Sequence, residues 1–91
     1  MLFAEIIGNL GQEAEVKTGK NGKPFLAFSI AHTEKRGEQE ETIWVRCMYY
    51  NENLKGSLTK GKRVYVNGDL NISVYNGKPD VTLFVNRLQL L

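Results

Sequence analysis

The run RVYVNGDLNISVY, residues Arg63–Tyr75, decides the fold that this sequence predicts. Apolar and polar side chains alternate along it without a break, and successive side chains of a strand point to opposite faces. The run is therefore a strand with one buried face, made of Val64, Val66, Gly68, Leu70, Ile72 and Val74. It is long for a straight strand, and a glycine in its middle is typical of a sharp bend. We expect a curved strand of an all-β protein.

Turn signals extend the same pattern over the whole chain. The peptide NGKP occurs at 76–79 and at 21–24, and Asn-Gly pairs favour tight hairpins because both residues tolerate positive φ. The β-branched and aromatic runs between turns predict five strands, at 2–16, 25–33, 42–50, 63–75 and 81–90, with bends at Gly8 and Gly11. Leu54 and Leu58 predict a short helix within 51–59 that covers a barrel end. This order matches the five-stranded oligonucleotide/oligosaccharide-binding barrel, the OB-fold, and we expect residues 1–91 to form one such domain.

The composition excludes several classes of protein. A formal net charge of +2 and a pI near 8.8 are too weakly basic to identify a nucleic-acid binder. No apolar run reaches the ~18 residues of a membrane span, and the start lacks the basic and apolar regions of a signal peptide, so we expect an intracellular protein. One cysteine, Cys47, and one histidine, His32, are too few for an ordinary zinc site. His32, Glu34 and Asp80 offer acid and base groups, but the sequence supplies no nucleophile, second base or metal cluster beside them, so we expect no enzyme activity, no cofactor and no metal.

The third strand, TIWVRCMYY at 42–50, has two faces of different chemistry. Its inward set is Ile43, Val45, Cys47 and Tyr49, and its outward set is Thr42, Trp44, Arg46, Met48 and Tyr50. Exposed aromatic rings stack on bases while arginine and lysine meet the phosphates, so the outward set predicts a surface for single-stranded nucleic acid. The same residue types are enriched at protein interfaces, so alternation leaves a subunit contact open as the alternative. Cys47 is expected to be a small buried hydrophobe.

Five segments, in order along the chain, resemble the bacterial single-stranded DNA-binding proteins. They are IIGNLGQEAEVK at 6–17, NGKPFLAFSIA at 21–31, TIWVRCMYY at 42–50, KGKRVYVNGDL at 60–70 and VNRLQLL at 85–91. The resemblance implies a five-stranded barrel that binds single-stranded DNA without sequence preference in replication, recombination or repair. It also implies a homo-oligomer, commonly a tetramer, in the bacterial cytoplasm at the nucleoid.

The resemblance also assigns roles to individual residues. Trp44, Tyr50 and Tyr75 match base-stacking aromatics of the family, and Arg46 and Lys60 match basic contacts to the DNA backbone. Many members carry a stacking tryptophan where this chain has Arg36, whose planar guanidinium also stacks, though less strongly. With hairpin and strand cations added, the predicted DNA-binding set is Lys17, Lys23, Lys35, Arg36, Trp44, Arg46, Tyr50, Lys60, Arg63 and Tyr75.

Departures from the family pattern lower the expected affinity and leave an alternative function. Asn71 and Ser73 stand where basic residues are expected. Val45 replaces a histidine that is usual after the strand tryptophan, which leaves open any subunit contact made there. The sequence stops at Leu91, before the linker and acidic tip that recruit replication and repair proteins in the family. We expect weaker or shorter-site binding. Residues 1–91 do not include the recruiting segment, whether the sequence is a trimmed piece or a naturally short variant. The alternative is a dimeric, tail-less adaptor like the primosomal replication protein B relatives, which acts in replication restart through protein and single-stranded DNA contacts.

Overall fold

The computed structural model describes residues 1–91, apart from the side chain at position 52. Its elements are, in order, β1 (Phe3–Leu10), β2 (Glu15–Thr18), β3 (Pro24–Arg36), β4 (Gln39–Tyr49), a 3₁₀ helix (Glu52–Ser57), β5 (Arg63–Tyr75) and β6 (Lys78–Leu90). The predicted all-β class is confirmed, as is a short helix before β5. No helix in this described part of the chain is long and apolar enough to cross a membrane.

Five of the strands close into a barrel, which confirms the predicted architecture. Neighbouring strands follow the order β1-β5-β6-β4-β3, and the ring closes where β1 pairs with β3 at Leu10↔Ile30. The pairing of β4 with β6 is parallel, with Cys47 opposite Leu83, whereas the other pairings are antiparallel. β2 lies outside the ring and is paired to β3.

The prediction of one continuous strand over 2–16 is wrong, because residues 11–14 separate β1 from β2. Both strands run along the same edge of β3, β1 opposite Ala31 and β2 opposite Ala27. At the break, the N–H of Ala14 donates to the carbonyl of Leu58 at 2.9 Å, and both residues are buried. The chain therefore leaves the ladder where Ala14 turns inward to join the core.

The buried side chains that the structure describes are apolar. All of them except Phe25 form one core cluster, made of Leu10, Ala14, Leu26, Phe28, Ile30, Val45, Cys47, Leu58, Val64, Val66, Leu83 and Val85. Leu58 directly follows the 3₁₀ helix, and Leu54 of that helix packs against the cluster. The two leucines predicted to cover the core are therefore confirmed in that position.

Gly68 marks a bend in β5, as the sequence predicts. A Cβ at this position would collide with the backbone carbonyl of Phe84. The register of β5 and β6 shifts at the same place, from Asn67↔Arg87 to Gly68↔Val85, so β6 carries one extra residue. Such a β-bulge bends a strand pair and increases its twist, which lets β5 curve around the barrel.

Beyond the barrel, β5 and β6 continue as a projecting hairpin, where the predicted burial is wrong. β1 pairs with β5 only as far as Asp69, and the rest of β5 is paired with β6 alone. Ile72 and Val74, which alternation places in the core, are 55% and 73% exposed. Ile43 is exposed for the same reason, since it lies on the β3–β4 hairpin beyond the last residue of β3 that pairs with β1. Alternation therefore predicts burial only where a strand is part of the closed ring.

Candidate nucleic-acid interface

A groove of about 600 Å³, here called the β4 groove, crosses the outer face of β2, β3, β4 and β6. Its lining includes Gly11, Glu13, Glu15, Lys17, Phe25, Ala27, Ser29, Trp44, Arg46, Met48 and Thr82. Ala27 and Ser29 of β3 pair with Met48 and Arg46 of β4. Because small side chains on β3 stand beside long ones on β4, an open channel remains above the sheet.

The outward residues predicted for β4 line this groove. Trp44 is 55% exposed, Arg46 is exposed and Met48 is half-buried, whereas Val45 and Cys47 between them are 2% and 1% exposed. The alternation is clean here because β3 and β6 flank β4 and the core covers its inner face. The structure therefore brings the predicted stacking ring and the predicted phosphate contact onto one surface, while their contact with DNA stays a prediction.

The Trp44 ring is seated on Gly11, in the break between β1 and β2. A Cβ at Gly11 would lie 2.7 Å from Cζ3 and 2.8 Å from Cη2 of the ring. The backbone of Gly11 is itself fixed, since its N–H donates to the carbonyl of Ser29 at 3.1 Å. The ring is thus supported on one side and open to solvent on the other. Its close approach is a second reason for a glycine at position 11, where the sequence predicts only a bend.

Arg46 is bonded to a carboxylate from another strand. Its Nη2 donates to Oδ2 of Asp80, on β6, at 2.5 Å. Asp80 therefore pairs with Arg46 and not with His32, the residue considered beside it from the sequence. The two partners are 34 residues apart in the chain, so only the pairing of β4 with β6 brings them together.

Tyr50 continues the aromatic surface just past the end of β4. Its ring centroid lies 5.5 Å from that of Phe25, and the two ring planes are tilted by 44°. Tyr50 also lines a second concavity of about 460 Å³, together with Asn21, Lys23 and Pro24 of the β2–β3 turn. Because Phe25 lines the β4 groove, the aromatic pair connects the two concavities into one path.

Acidic side chains share the β4 groove with the basic ones. Glu13 and Glu15 line it beside Lys17, and Oε1 of Glu13 lies 3.7 Å from Nζ of Lys55. These acids are absent from the set of site residues predicted from the sequence, although alternation along β2 puts Glu15 on the same face as Lys17. The attraction of the groove for a polyanion is therefore smaller than the predicted set of cations suggests.

The remaining predicted DNA contacts are not among the described residues that line the β4 groove. Lys35 and Arg36 are near the exposed end of the β3–β4 hairpin, and Tyr75 is at the end of the β5–β6 hairpin with 74% of its surface exposed. Lys60 lies in the turn before β5, and Arg63 is the first residue of β5, where β5 pairs with β1. A strand that touches all of them must leave the groove and follow the hairpins.

His32 and Cys47 have shifted pKa values with different causes. Nδ1–H of His32 donates to the carbonyl of Ile7 at 2.8 Å, and Nε2 lies 3.1 Å from Oε1 of Glu34. The bond to Ile7 first, and then the contact with Glu34, raise the pKa of His32 above 6.5, while His32 and Arg36 lower the pKa of Glu34. Burial raises the pKa of Cys47 to about 12, so the expected small buried hydrophobe is confirmed.

A closed five-stranded barrel with a helical segment between its third and fourth strands defines the OB-fold class. The grooved face of β3 and β4 is the face that binds ligands in this class. The chain belongs to the single-strand binding protein family, whose model matches residues 3–90.

Relatives and solved structures agree with this assignment. The single-stranded DNA-binding protein of Chlamydia trachomatis serovar D is 28% identical over 92 residues, and that of Rickettsia felis is 31% identical over 81 residues. The alignments cover 94% and 78% of this chain but 59% and 53% of those proteins, so the chain spans little more than half of their length.

Among solved structures, the Plasmodium falciparum SSB in complex with ssDNA matches with a TM-score of 0.68 and 28% identity, covering 100% of this chain and 93% of that one. The small single-stranded DNA-binding protein from Streptomyces coelicolor matches with a TM-score of 0.80, covering 98% of this chain and 91% of that one. At 19% identity, the second likeness shows the fold alone.

Proposed function

We propose that this chain binds single-stranded DNA without sequence preference and protects it in replication, recombination or repair. The observation that carries the proposal is the outward face of β4, where exposed Trp44 and Arg46 stand along one groove. Relatives named single-stranded DNA-binding proteins, and a solved complex of an SSB with ssDNA, support it. The proposed unit is a single binding domain, residues 1–91, that acts beside the bacterial nucleoid without catalysing a reaction.

Base stacking supplies the sequence-independent part of the binding. Every base has a π-face, and a base stacked on an aromatic side chain contributes about 1–3 kcal/mol. Trp44 is the primary platform, because Gly11 fixes the ring before DNA arrives and little freedom is lost on binding. Tyr50 is the second platform, held by its contact with Phe25 at the far end of the path.

Cations along the path take the phosphates between the stacked bases. Lys17 and Arg46 line the β4 groove, and Lys23 lines the concavity beside Tyr50. Tyr75, with Lys35 and Arg36 of the other hairpin, extends the contacts beyond the groove. Lys60 and Arg63 continue them along the start of β5.

A titration of Trp44 fluorescence tests the proposal, since this is the only tryptophan in the chain. Stacking of a base on the indole is expected to quench its emission strongly with oligo-dT and weakly with duplex of the same length. The log of the association constant should fall linearly with log salt concentration, by about 0.7 for each neutralised phosphate. Equal quenching by duplex and single strand, or none by either, would contradict the proposal.

We also propose that the chain assembles into a homo-oligomer, either a dimer or a tetramer. Phe3 and Phe84 are 51% and 41% exposed, and Asp69 lies between them in the register of β1, β5 and β6. Phenylalanine is enriched at protein interfaces relative to the rest of the surface, so this apolar face is the proposed contact.

Phe3→Glu tests the assembly, because it places a charge in the apolar part of this surface. We expect the mass in solution to fall to that of a smaller species. Val16→Glu is the control, because Val16 lies on β2, away from the Phe3 surface, and is 43% exposed. Ile7 is a second test position on the same face, whereas Ile6 packs against the core and would report folding instead. An unaltered mass in Phe3→Glu would refute this surface as the interface.

A further inference from the structure

Arg46, one of the cations that line the β4 groove, already has an anionic partner in the free protein. Arg46 lines the groove, and Asp80 lies on β6 where the projecting hairpin leaves the barrel. The side chains are 64% and 38% exposed, so water reaches both members of the pair. The bond is therefore one that an incoming anion can reach and replace.

We infer that Asp80 competes with DNA phosphate for Arg46, so that a bound strand takes the place of the Asp80 carboxylate. The inference rests on the proposed single-stranded DNA function and names the residue that limits its affinity. A guanidinium presents its donors in a planar fork that fits a carboxylate and a phosphate equally well. Asp80 thus occupies Nη2 of Arg46, one of the donors that a phosphate would use, and offsets the charge that would attract the phosphate.

The charge of the groove makes this competition matter. Paired with Asp80, Arg46 adds little net positive charge to the groove. Glu13 and Glu15, which line the same groove beside Lys17, offset the positive charge of Lys17. When a phosphate replaces Asp80, the freed carboxylate stays beside the bound strand and offsets part of the attraction. Arg46 therefore contributes less to affinity and to counterion release than an unpaired arginine would.

Asp80→Asn tests the inference in the full chain, because the amide keeps the shape of the side chain and removes its charge. The probe is oligo-dT, followed by Trp44 quenching over a series of salt concentrations. An exposed ion pair of this kind is weak, so we expect binding about two- to fivefold tighter at low salt. The slope of log affinity against log salt should become steeper by up to about 0.7, the value for one phosphate contact, because the variant has no freed carboxylate to take up a cation when the phosphate binds Arg46.

Glu15→Gln is the matched control. Glu15 lines the same groove and carries the same charge, but the ion pair of Arg46 is with Asp80 and not with Glu15. We expect a smaller gain in affinity and a wild-type salt slope. Far-UV circular dichroism and mass in solution check that both variants keep the fold and assembly of the wild type.

Arg46→Gln in the two backgrounds completes the test. Competition requires that this substitution loses more affinity in Asp80→Asn than in the wild type, because only there is Arg46 fully available. If Asp80→Asn matches Glu15→Gln in affinity and slope, or binds more weakly than the wild type, Asp80 does not compete for Arg46. Absence of quenching in the wild type would instead overturn the proposed function, and this inference with it.

Discussion

Replacement of Trp44 by alanine tests the stacking mechanism while leaving the core intact. The ring is 55% exposed and lies outside the core cluster, with its covered part resting on Gly11. A fully covered aromatic side chain buries about 150–250 Å², so the covered part here is roughly 100 Å². At about 25 cal/mol per Å², its loss costs at most about 2–3 kcal/mol of folding free energy. A domain of ordinary stability, about 5–15 kcal/mol, remains folded after this loss.

The effect on DNA binding should be much larger than the effect on the fold. Loss of one stacked base removes about 1–3 kcal/mol, which corresponds to a Kd about 5- to 150-fold weaker. The variant has no tryptophan, so the assay is the fluorescence anisotropy of a labelled oligo-dT at fixed salt. The salt slope should keep its wild-type value, because the phosphate contacts of the cations are unchanged.

Ile43→Ala provides the control for this experiment. Ile43 is the neighbour of Trp44 on the opposite face of β4 and is 46% exposed, so its truncation removes exposed apolar surface without removing a stacking ring. Affinity should stay within about twofold of the wild type, a change below about 0.5 kcal/mol. If Trp44→Ala is folded and binds oligo-dT as tightly as Ile43→Ala does, the stacking mechanism is wrong. The adaptor function, in which the aromatic face contacts protein, would then be favoured.

Three further results are expected. Gly11→Val should shift the Trp44 emission maximum and weaken oligo-dT binding without unfolding, because its Cβ would lie 2.7 Å from Cζ3 of the ring; an unshifted spectrum would show that the ring is not seated there. Because the folded-state pKa of His32 is raised above 6.5, protonated His32 stabilises the folded state. This stabilisation is complete below pH 6.5 and is lost as the pH rises through the folded-state pKa. The urea concentration at the unfolding midpoint should therefore decrease as the pH is raised from about 6 to about 8, and it should decrease more in the wild type than in His32→Gln. Equal pH profiles of the two proteins would refute this link between His32 and stability. Cys47, whose pKa burial raises to about 12, should react with a thiol reagent only after denaturation, and rapid reaction in the native protein would contradict its burial.

The success of sequence reasoning on β4 has a definite physical cause. β4 has a neighbour on each side and the core beneath it, so one alternation in the sequence becomes one alternation in burial. Val45 and Cys47 against Trp44 and Arg46 follow this rule. The rule fails at Ile72 and in the other projecting segments, because nothing in a strand's own alternation says where its neighbour ends.

The part of the site that sequence reasoning missed depends on contacts between distant segments. Asp80 meets Arg46 through the parallel pairing of β4 with β6, and Gly11 meets Trp44 because the first strand breaks at residues 11–14. Neither pairing leaves a periodic signal in the sequence. Glu15 differs from these two contacts, because its position can be read from the sequence. It lies two residues before Lys17 on β2, hence on the same face, and this spacing is sufficient to predict an acid in the groove.

The charges of the site decide which interaction must supply most of the binding free energy. Of the predicted cations, Arg46 is paired with Asp80 and Arg36 with Glu34, and the net charge of the whole chain is only +2. Counterion release from a few available cations gives a shallow salt dependence and a small electrostatic share of the affinity. Stacking is not reduced by neighbouring carboxylates, because it depends on the surface of the rings. In this chain, therefore, loss of the Trp44 ring should cost more affinity than loss of any one cation on the same path.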